Sequence, residues 1–214
     1  AKNNGSIKQT KLIVLFVLQH GTERRILDEQ CRHYQREPFT SLKTARTYKY
    51  VEHQIKEHAI NVEHIQVAEL PAEDLIKARF DSEAILNANK KVAEADGVII
   101  ASPVYKAAYT GILKTYLDLL PQKGFAEKTI FPFIGGTIAH LLSIDYALKP
   151  VLSTMGARHI LGGVYAIDAW VARDQDQYTL SDELLQRLDD SISEFVKAIN
   201  QKAEEEVLSD TWFL

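Results

Sequence analysis

Two short segments place small, hydroxyl-bearing and aromatic residues directly after apolar runs. Residues 101–111 read ASPVYKAAYTG, and residues 135–141 read GGTIAHL. The first would present backbone amides and a flat apolar surface to one face of an aromatic ring. In the second, two glycines permit unusual backbone angles and a close approach to a ligand, and Thr137 adds a hydroxyl group. Each pattern also fits an ordinary loop, and His140 fits a core or interface position better than that of a catalytic base.

A third segment is rich in hydroxyl groups and precedes a helical pattern. Residues 40–47 read TSLKTART, and apolar residues then recur at helical spacing over residues 48–59. Amides and hydroxyls at a helix start bind anions such as phosphate. However, this segment begins more than twenty residues after the preceding apolar run at residues 12–18, whereas a βα loop usually spans about 2–6 residues.

Apolar runs alternate with helical patterns along the chain, and these elements must position the three segments. The predicted strands are residues 12–18, 62–67, 97–102, 129–134 and 163–167. The final helix has the clearest apolar stripe, formed by Leu184, Leu185, Leu188, Ile192, Phe195, Val196 and Ile199. The alternation predicts one α/β domain with a doubly wound parallel sheet of five strands and helices on both faces. Ligands of such sheets bind beyond the carboxyl ends of the strands, where all three segments would lie. We expect the third strand to stop at Pro103, which cannot donate a ladder hydrogen bond.

Composition excludes several classes of function. The 214 residues include 25 Lys and Arg and 29 Asp and Glu, a net charge of −4, which gives no electrostatic reason to expect nucleic-acid or anionic-membrane partners. The single cysteine favours a reducing compartment, and we expect a cytoplasmic protein. Residues 12–18 are too few to span a bilayer and lack a following signal-peptide cleavage site. Neither an H-E-x-x-H metal motif nor a G-x-S-x-G nucleophile motif is present, so we expect no metal site and no serine hydrolase.

The chain resembles a known enzyme family in three segments. These are residues 101–121 (ASPVYKAAYTGILKTYLDLLP), 135–157 (GGTIAHLLSIDYALKPVLSTMGA) and 73–82 (EDLIKARFDS). They are similar to the NADPH-dependent FMN reductases of the flavodoxin-like superfamily, and most similar to the alkanesulfonate-utilisation type of two-component monooxygenase systems. The resemblance covers residues 40–200 and implies a flavodoxin-like sheet of order 2-1-3-4-5, usually in a homodimer or homotetramer.

The resemblance also implies roles for individual residues. Pro103, Val104, Tyr105 and Lys106 match the loop along the flavin ring, and Gly135, Gly136 and Thr137 match the loop near its pyrimidine edge. Tyr109 matches a tyrosine that lies at a π-helix insertion on the oligomer interface, where it is associated with weak flavin retention. Four residues of the next helix would form either a subunit-packing surface or intramolecular core: Ile112, Tyr116, Leu119 and Leu120.

The N-terminal part of the chain departs from the family pattern. In the best register Pro38 matches the proline of the phosphate loop, and Ser41, Lys43 and Thr44 are the candidate phosphate ligands. Arg36 and Glu37 replace a Gly-Ser pair, so either about twenty residues are inserted here or the stretch is non-homologous. The chain therefore divides into an atypical segment at residues 1–39, whose first strand is residues 11–18, a reductase domain at 40–200, and a tail at 201–214.

The function that the resemblance implies is reduction of FMN by NADPH or NADH. Hydride transfer is the chemistry of the two cofactors, so no catalytic side chain is expected. FMN would bind loosely or as a substrate, and free reduced flavin would pass to a partner monooxygenase, with sulfonate sulfur assimilation as the setting. Two alternatives are a quinone or azo reductase that retains its flavin, and a flavodoxin-like protein with impaired FMN binding that acts as a non-catalytic partner.

Overall fold

A central parallel sheet organises the chain. The computed structural model describes residues 10–16, 39–58, 60–174 and 177–211. Strand β1 (Lys11–Phe16) pairs in parallel with β2 (Asn61–Gln66) on one side and with β3 (Gly97–Tyr105) on the other. Strand β3 pairs in parallel with β5 (Thr129–Gly136). The predicted first strand is confirmed over residues 12–16, and residues 17 and 18 lie outside the described residues.

The fifth position of the sheet is shared by two short strands. Strand β6 (His159–Ile160) pairs with Thr129 and Ile130, and β7 (Val164–Ile167) pairs with β5 from Phe133 onwards. Between these two pairings, β5 contains Pro132, which has no N–H group to donate to a ladder hydrogen bond. The predicted order 2-1-3-4-5 is therefore confirmed, with its last strand divided opposite a proline.

Helices cover both faces of the sheet. Their bounds are α1 Phe39–Glu57, α2 Ala72–Ile76, α3 Glu83–Glu94, α4 Gly111–Leu117, α5 Lys149–Thr154 and α6 Asp182–Thr211. Helix α6 includes residues 201–211, which we expected to form a separate tail, and residues 212–214 lie outside the described residues. Among the helices that the structure describes, none is both long enough and apolar enough to cross a membrane.

The core has two halves, one on each side of the sheet. Alternate side chains of β1 point into different halves: Ile13 and Leu15 into one, and Leu12, Val14 and Phe16 into the other. This is the pattern of a central parallel strand that is buried on both faces. Tyr116, Leu119 and Leu120 are buried in the first half, and Ile112 packs against it, so this stripe forms intramolecular core.

Two expectations about the chain after β3 are wrong. Strand β3 continues through Pro103, which pairs with Gly135 of β5, and it ends at Tyr105. Tyr109 does not lie in a π-helix but in the short strand β4 (Ala108–Tyr109), which pairs antiparallel with the end of β3. In the described part of the chain, the π-helical turn is at Ile144–Leu148.

Candidate functional site

The three segments identified in the sequence meet at the carboxyl edge of the sheet. Pro103 and Gly135 are direct partners in the β3–β5 register. A Cβ atom built on Gly135 would collide with Oγ1 of Thr44, which places the first turns of α1 against the same point. Segment 40–47 is therefore not a loop before a helix, as expected, but part of helix α1, which begins at Phe39.

The segment after Pro103 forms a tight hairpin. Val104 pairs with Tyr109 and Tyr105 with Ala108, which leaves a two-residue turn at Lys106 and Ala107. Both turn residues have positive φ angles, 51° and 65°, as a type I′ turn requires. Glycine and asparagine usually occupy such positions, and other L-residues adopt left-handed angles at a cost of about 1–2 kcal/mol each. The exposed tip of this hairpin is therefore strained.

Replacing Lys106 with Asn and Ala107 with Gly should relieve this strain. We expect the double variant to raise the free energy of unfolding by about 1 kcal/mol, because both new residues tolerate positive φ. Urea denaturation followed by circular dichroism measures the change. Lys106→Ala is the control, since it removes the charge without relieving the backbone angle. An equal gain in the control would show that charge, and not backbone strain, limits the stability of the turn.

Two buried hydroxyl groups join the base of the hairpin to α4. Ser102 Oγ accepts a hydrogen bond from the Thr110 backbone N–H (3.1 Å) and donates one to the Pro103 carbonyl (2.9 Å). Thr110 caps α4, since its Oγ1 accepts from the Leu113 N–H (3.2 Å). Both side chains are fully buried. This pair was not among the predicted site residues, although a threonine just before a helical stripe is an N-cap signal.

The two glycines of the second segment end strand β5 and are both buried. Neither has a positive φ angle, so the expected unusual backbone angles are not the reason for them. They are required by close neighbours instead. A Cβ on Gly135 would collide with Thr44, and one on Gly136 would lie 2.7 Å from Tyr165 Oη and 3.0 Å from Val104 Cβ. The glycines allow α1, β3 and β7 to converge on the end of β5.

Thr137 and His140 follow the glycines. Thr137 is exposed and precedes a single 3₁₀ turn at Ile138–His140, in which the His140 N–H donates to the Thr137 carbonyl (3.1 Å). His140 is half-buried. The amides that begin this turn have no partner within it, which is the general property of helix starts that suits them to bind acceptor atoms. The turn thus presents backbone hydrogen-bond donors beside the hairpin that follows Pro103.

An apolar groove of about 490 Å³ borders these loops. Its walls include Ala107 of the hairpin turn and run along the 3₁₀ and π-helical turns. Four large apolar side chains are exposed there: Ile138, Leu141, Leu142 and Tyr146. A groove with apolar walls and backbone amides at one end fits a flat aromatic ring with polar edges.

Burial changes the acidity of two tyrosines near the site. It raises the pKa of Tyr165 to about 12, with a further contribution from the negative charge of Asp168. Burial also raises the pKa of Tyr109 above the ordinary value for a phenol. Both phenols therefore stay protonated at neutral pH. Among the described residues, no group of three or more His, Cys, Asp or Glu side chains is arranged to hold a metal ion.

The predicted phosphate ligands are only partly described. Ser41 and Lys43 belong to the backbone of α1, but their side chains lie outside the described part, as do Arg36, Glu37 and Pro38. The side chain of Thr44 is described and is 2% exposed. It packs α1 against β5 at Gly135, and its contact with a phosphate stays a prediction.

Comparison with known proteins shows that the sequence is similar to those of NADPH-dependent FMN reductases. The sequence model of the NADPH-dependent FMN reductase family matches residues 41–172. An FMN reductase (NADPH) from Pseudomonas putida KT2440 is 44% identical over 151 residues, which cover 69% of this chain and 77% of that protein. An FMN reductase (NADPH) from Escherichia coli K12 is 44% identical over 67% of this chain and 75% of its own length.

Solved structures show the same similarity in three dimensions. The apo form of an NADH:FMN oxidoreductase (EMOB) superimposes with a TM-score of 0.66 at 27% identity, covering 87% of this chain and 88% of that one. Flavodoxin 1 from Bacillus cereus superimposes with a TM-score of 0.55 at 16% identity, covering 88% of this chain and 98% of that one. The sheet order and these superpositions together show a flavodoxin-like fold.

Proposed function

The chain belongs to the NADPH-dependent FMN reductase family, and from that premise we propose that it reduces FMN with NADPH. The observation that carries the proposal is the position of the family match. Residues 41–172 include both segments that are predicted to contact the flavin ring, residues 103–106 and 135–137, and the fold brings these segments together at the carboxyl edge of the sheet. Ligands of doubly wound sheets bind at this edge.

The residues at this edge fit a flavin ring. Pro103, Val104, Tyr105 and Lys106 would lie along the ring, and Gly135, Gly136 and Thr137 would face its pyrimidine edge. The apolar groove adjoins these residues without being lined by them, since it begins at their neighbours Ala107 and Ile138. Amides at the start of the 3₁₀ turn would donate hydrogen bonds to the polar edge of the ring. At the other end, Ser41, Lys43 and Thr44 would hold the phosphate.

The protein's part in the reaction is to bind and orient. FMN, when bound, supplies the chemistry by accepting a hydride from NADPH. The hairpin would hold one face of the ring system, and the apolar groove would limit access of water to the reacting faces. No side chain needs to act as an acid or base in this scheme, and we assign none.

Two finer parts of the proposal concern partners. The sequence resemblance supports release of reduced flavin to a monooxygenase in sulfonate sulfur assimilation. It also supports a homodimer or homotetramer, with Tyr109 at the interface. Four exposed apolar side chains that line the groove are consistent with a surface that another subunit covers: Ile138, Leu141, Leu142 and Tyr146.

The direct test is NADPH oxidation by purified protein, followed at 340 nm with and without added FMN. We expect oxidation that depends on free FMN, and dialysed protein without yellow colour. Yellow colour that survives dialysis would favour the flavin-retaining quinone or azo reductase. A folded protein that neither oxidises NADPH nor quenches FMN fluorescence would favour the non-catalytic alternative and contradict the proposal.

A further inference from the structure

Tyr165 lies against the second glycine of the site. It belongs to β7, is 7% exposed, and pairs in register with Ile134, two residues before Gly136. A Cβ atom on Gly136 would lie 2.7 Å from the phenol oxygen. The end of the phenol therefore fills the space that a side chain at position 136 would need. The glycine and the tyrosine are a packing pair, although they come from different strands.

The same phenol holds the peptide group that follows the glycines. Tyr165 Oη donates a hydrogen bond to the Thr137 carbonyl (2.7 Å), and the His140 N–H donates to the same oxygen (3.1 Å). The two donors occupy both acceptor positions of that carbonyl. Because C=O and N–H point in opposite directions across a trans peptide unit, fixing the Thr137 carbonyl also fixes the direction of the Ile138 N–H.

The hydrogen bond is available over the whole ordinary pH range. Burial, together with the charge of Asp168, raises the pKa of Tyr165 to about 12, so its hydroxyl stays a donor. This position was absent from the candidate residues because a tyrosine in an alternating strand looks like any half-buried strand residue. Its role is visible only where β7 meets the end of β5.

We propose that Tyr165 is a positioning residue for flavin binding. By filling the space beside Gly136 and holding the Thr137 carbonyl, it fixes the amide that faces the pyrimidine edge of the ring. The inference rests on the proposed function, since it assigns a second layer of residues to the same flavin site. It concerns this chain's own tyrosine and predicts an effect on FMN affinity and not on the hydride-transfer step.

Tyr165→Phe is the test, because it keeps the ring and removes only the hydroxyl group. We expect the Kd for FMN, measured by fluorescence quenching, and the KM for FMN to rise about five- to tenfold, as loss of one buried hydrogen bond predicts. The KM for NADPH and kcat at saturating FMN should stay within about twofold of wild type. Tyr50→Phe is the matched control: its hydroxyl also donates a 2.7 Å hydrogen bond, to Asp189, but it joins α1 to α6. That variant should leave the Kd for FMN unchanged.

Equal FMN affinity in wild type and Tyr165→Phe would overturn the inference. So would an equal loss in both Tyr→Phe variants, because that would be a general effect of stability. A second measurement uses Gly136→Ala in both backgrounds. Gly136→Ala should lower the melting temperature less in the Tyr165→Phe background than in wild type, since the phenol oxygen is then gone. An equal fall in both backgrounds would show that Gly136 and Tyr165 are not a packing pair. Wild-type protein that binds no FMN would overturn the proposed function before any variant is made, whereas the melting-temperature comparison needs no flavin.

Discussion

Gly163→Ala should be among the most destabilising single substitutions in this chain. Gly163 has a φ of +79°, and a Cβ atom there would lie 2.6 Å from the Pro132 carbonyl oxygen. The left-handed angle alone costs an L-residue about 1–2 kcal/mol. The collision adds to this because the contacted atom is backbone of the neighbouring strand and cannot rotate away. We expect the free energy of unfolding to fall by about 3 kcal/mol or more, measured by urea denaturation.

The adjacent glycine provides the control for Gly163→Ala. A Cβ on Gly162 would meet no atom within 4 Å, and this residue has no positive φ. Gly162→Ala should therefore change the free energy of unfolding by less than about 0.5 kcal/mol. Similar losses in both variants would show that this turn needs general flexibility, and not the specific angle at Gly163.

The position of Gly163 links this stability prediction to the site. Gly163 immediately precedes β7, which pairs with β5 from Phe133 to Gly136 and carries Tyr165. A shift of this turn would move the phenol away from Gly136 and the Thr137 carbonyl. We therefore expect Gly163→Ala to weaken FMN binding as well, even at temperatures where the variant is still folded.

The central strands were predictable from sequence because a strand that is buried on both faces has few polar residues. Residues 97–102 and 129–134 are apolar almost throughout, and both lie inside β-strands. The divided fifth strand was not predictable, because the break brings together Pro132 of the neighbouring strand and Gly163 between the two halves. A proline in one strand changes the pairing of the next, and a pattern read along one segment does not contain that information.

Much of the candidate site could also be predicted, since parallel topology brings strand ends to one edge. The sequence predicts that the segments after Pro103 and around Gly135 lie together, and the β3–β5 register confirms that they are neighbours. Contacts between side chains of distant elements were not predicted. The glycines looked like sites of unusual backbone angles, whereas the structure shows that Thr44 and Tyr165 occupy the space beside them. Such contacts between elements leave no periodic signal in the sequence.

Gly135→Ala should separate the packing role of Thr44 from its predicted phosphate role. The new methyl group would collide with Thr44 Oγ1, whereas the Thr44 Cβ is 3.4 Å away, an ordinary contact distance. Overpacking of this kind in a buried strand destabilises by about 1–3 kcal/mol. We expect a loss in that range by urea denaturation, together with weaker FMN binding, because α1 is pushed away from the end of β5.

A second substitution at Thr44 gives the decisive comparison. Thr44→Ala removes Oγ1, so Gly135→Ala with Thr44→Ala should recover about 1 kcal/mol or more relative to the sum of the single changes, within the range known for contacting residues. Thr44→Val keeps a heavy atom at the Oγ1 position and should give no recovery. If the Ala–Ala variant regains stability and FMN affinity, Thr44 acts by packing alone. If stability returns but FMN affinity does not, the Thr44 hydroxyl is needed by the phosphate, as the sequence pattern predicts. If the Ala–Ala variant recovers no stability, the Gly135–Thr44 contact is contradicted, and with it the basis for comparing the packing and phosphate roles of Thr44.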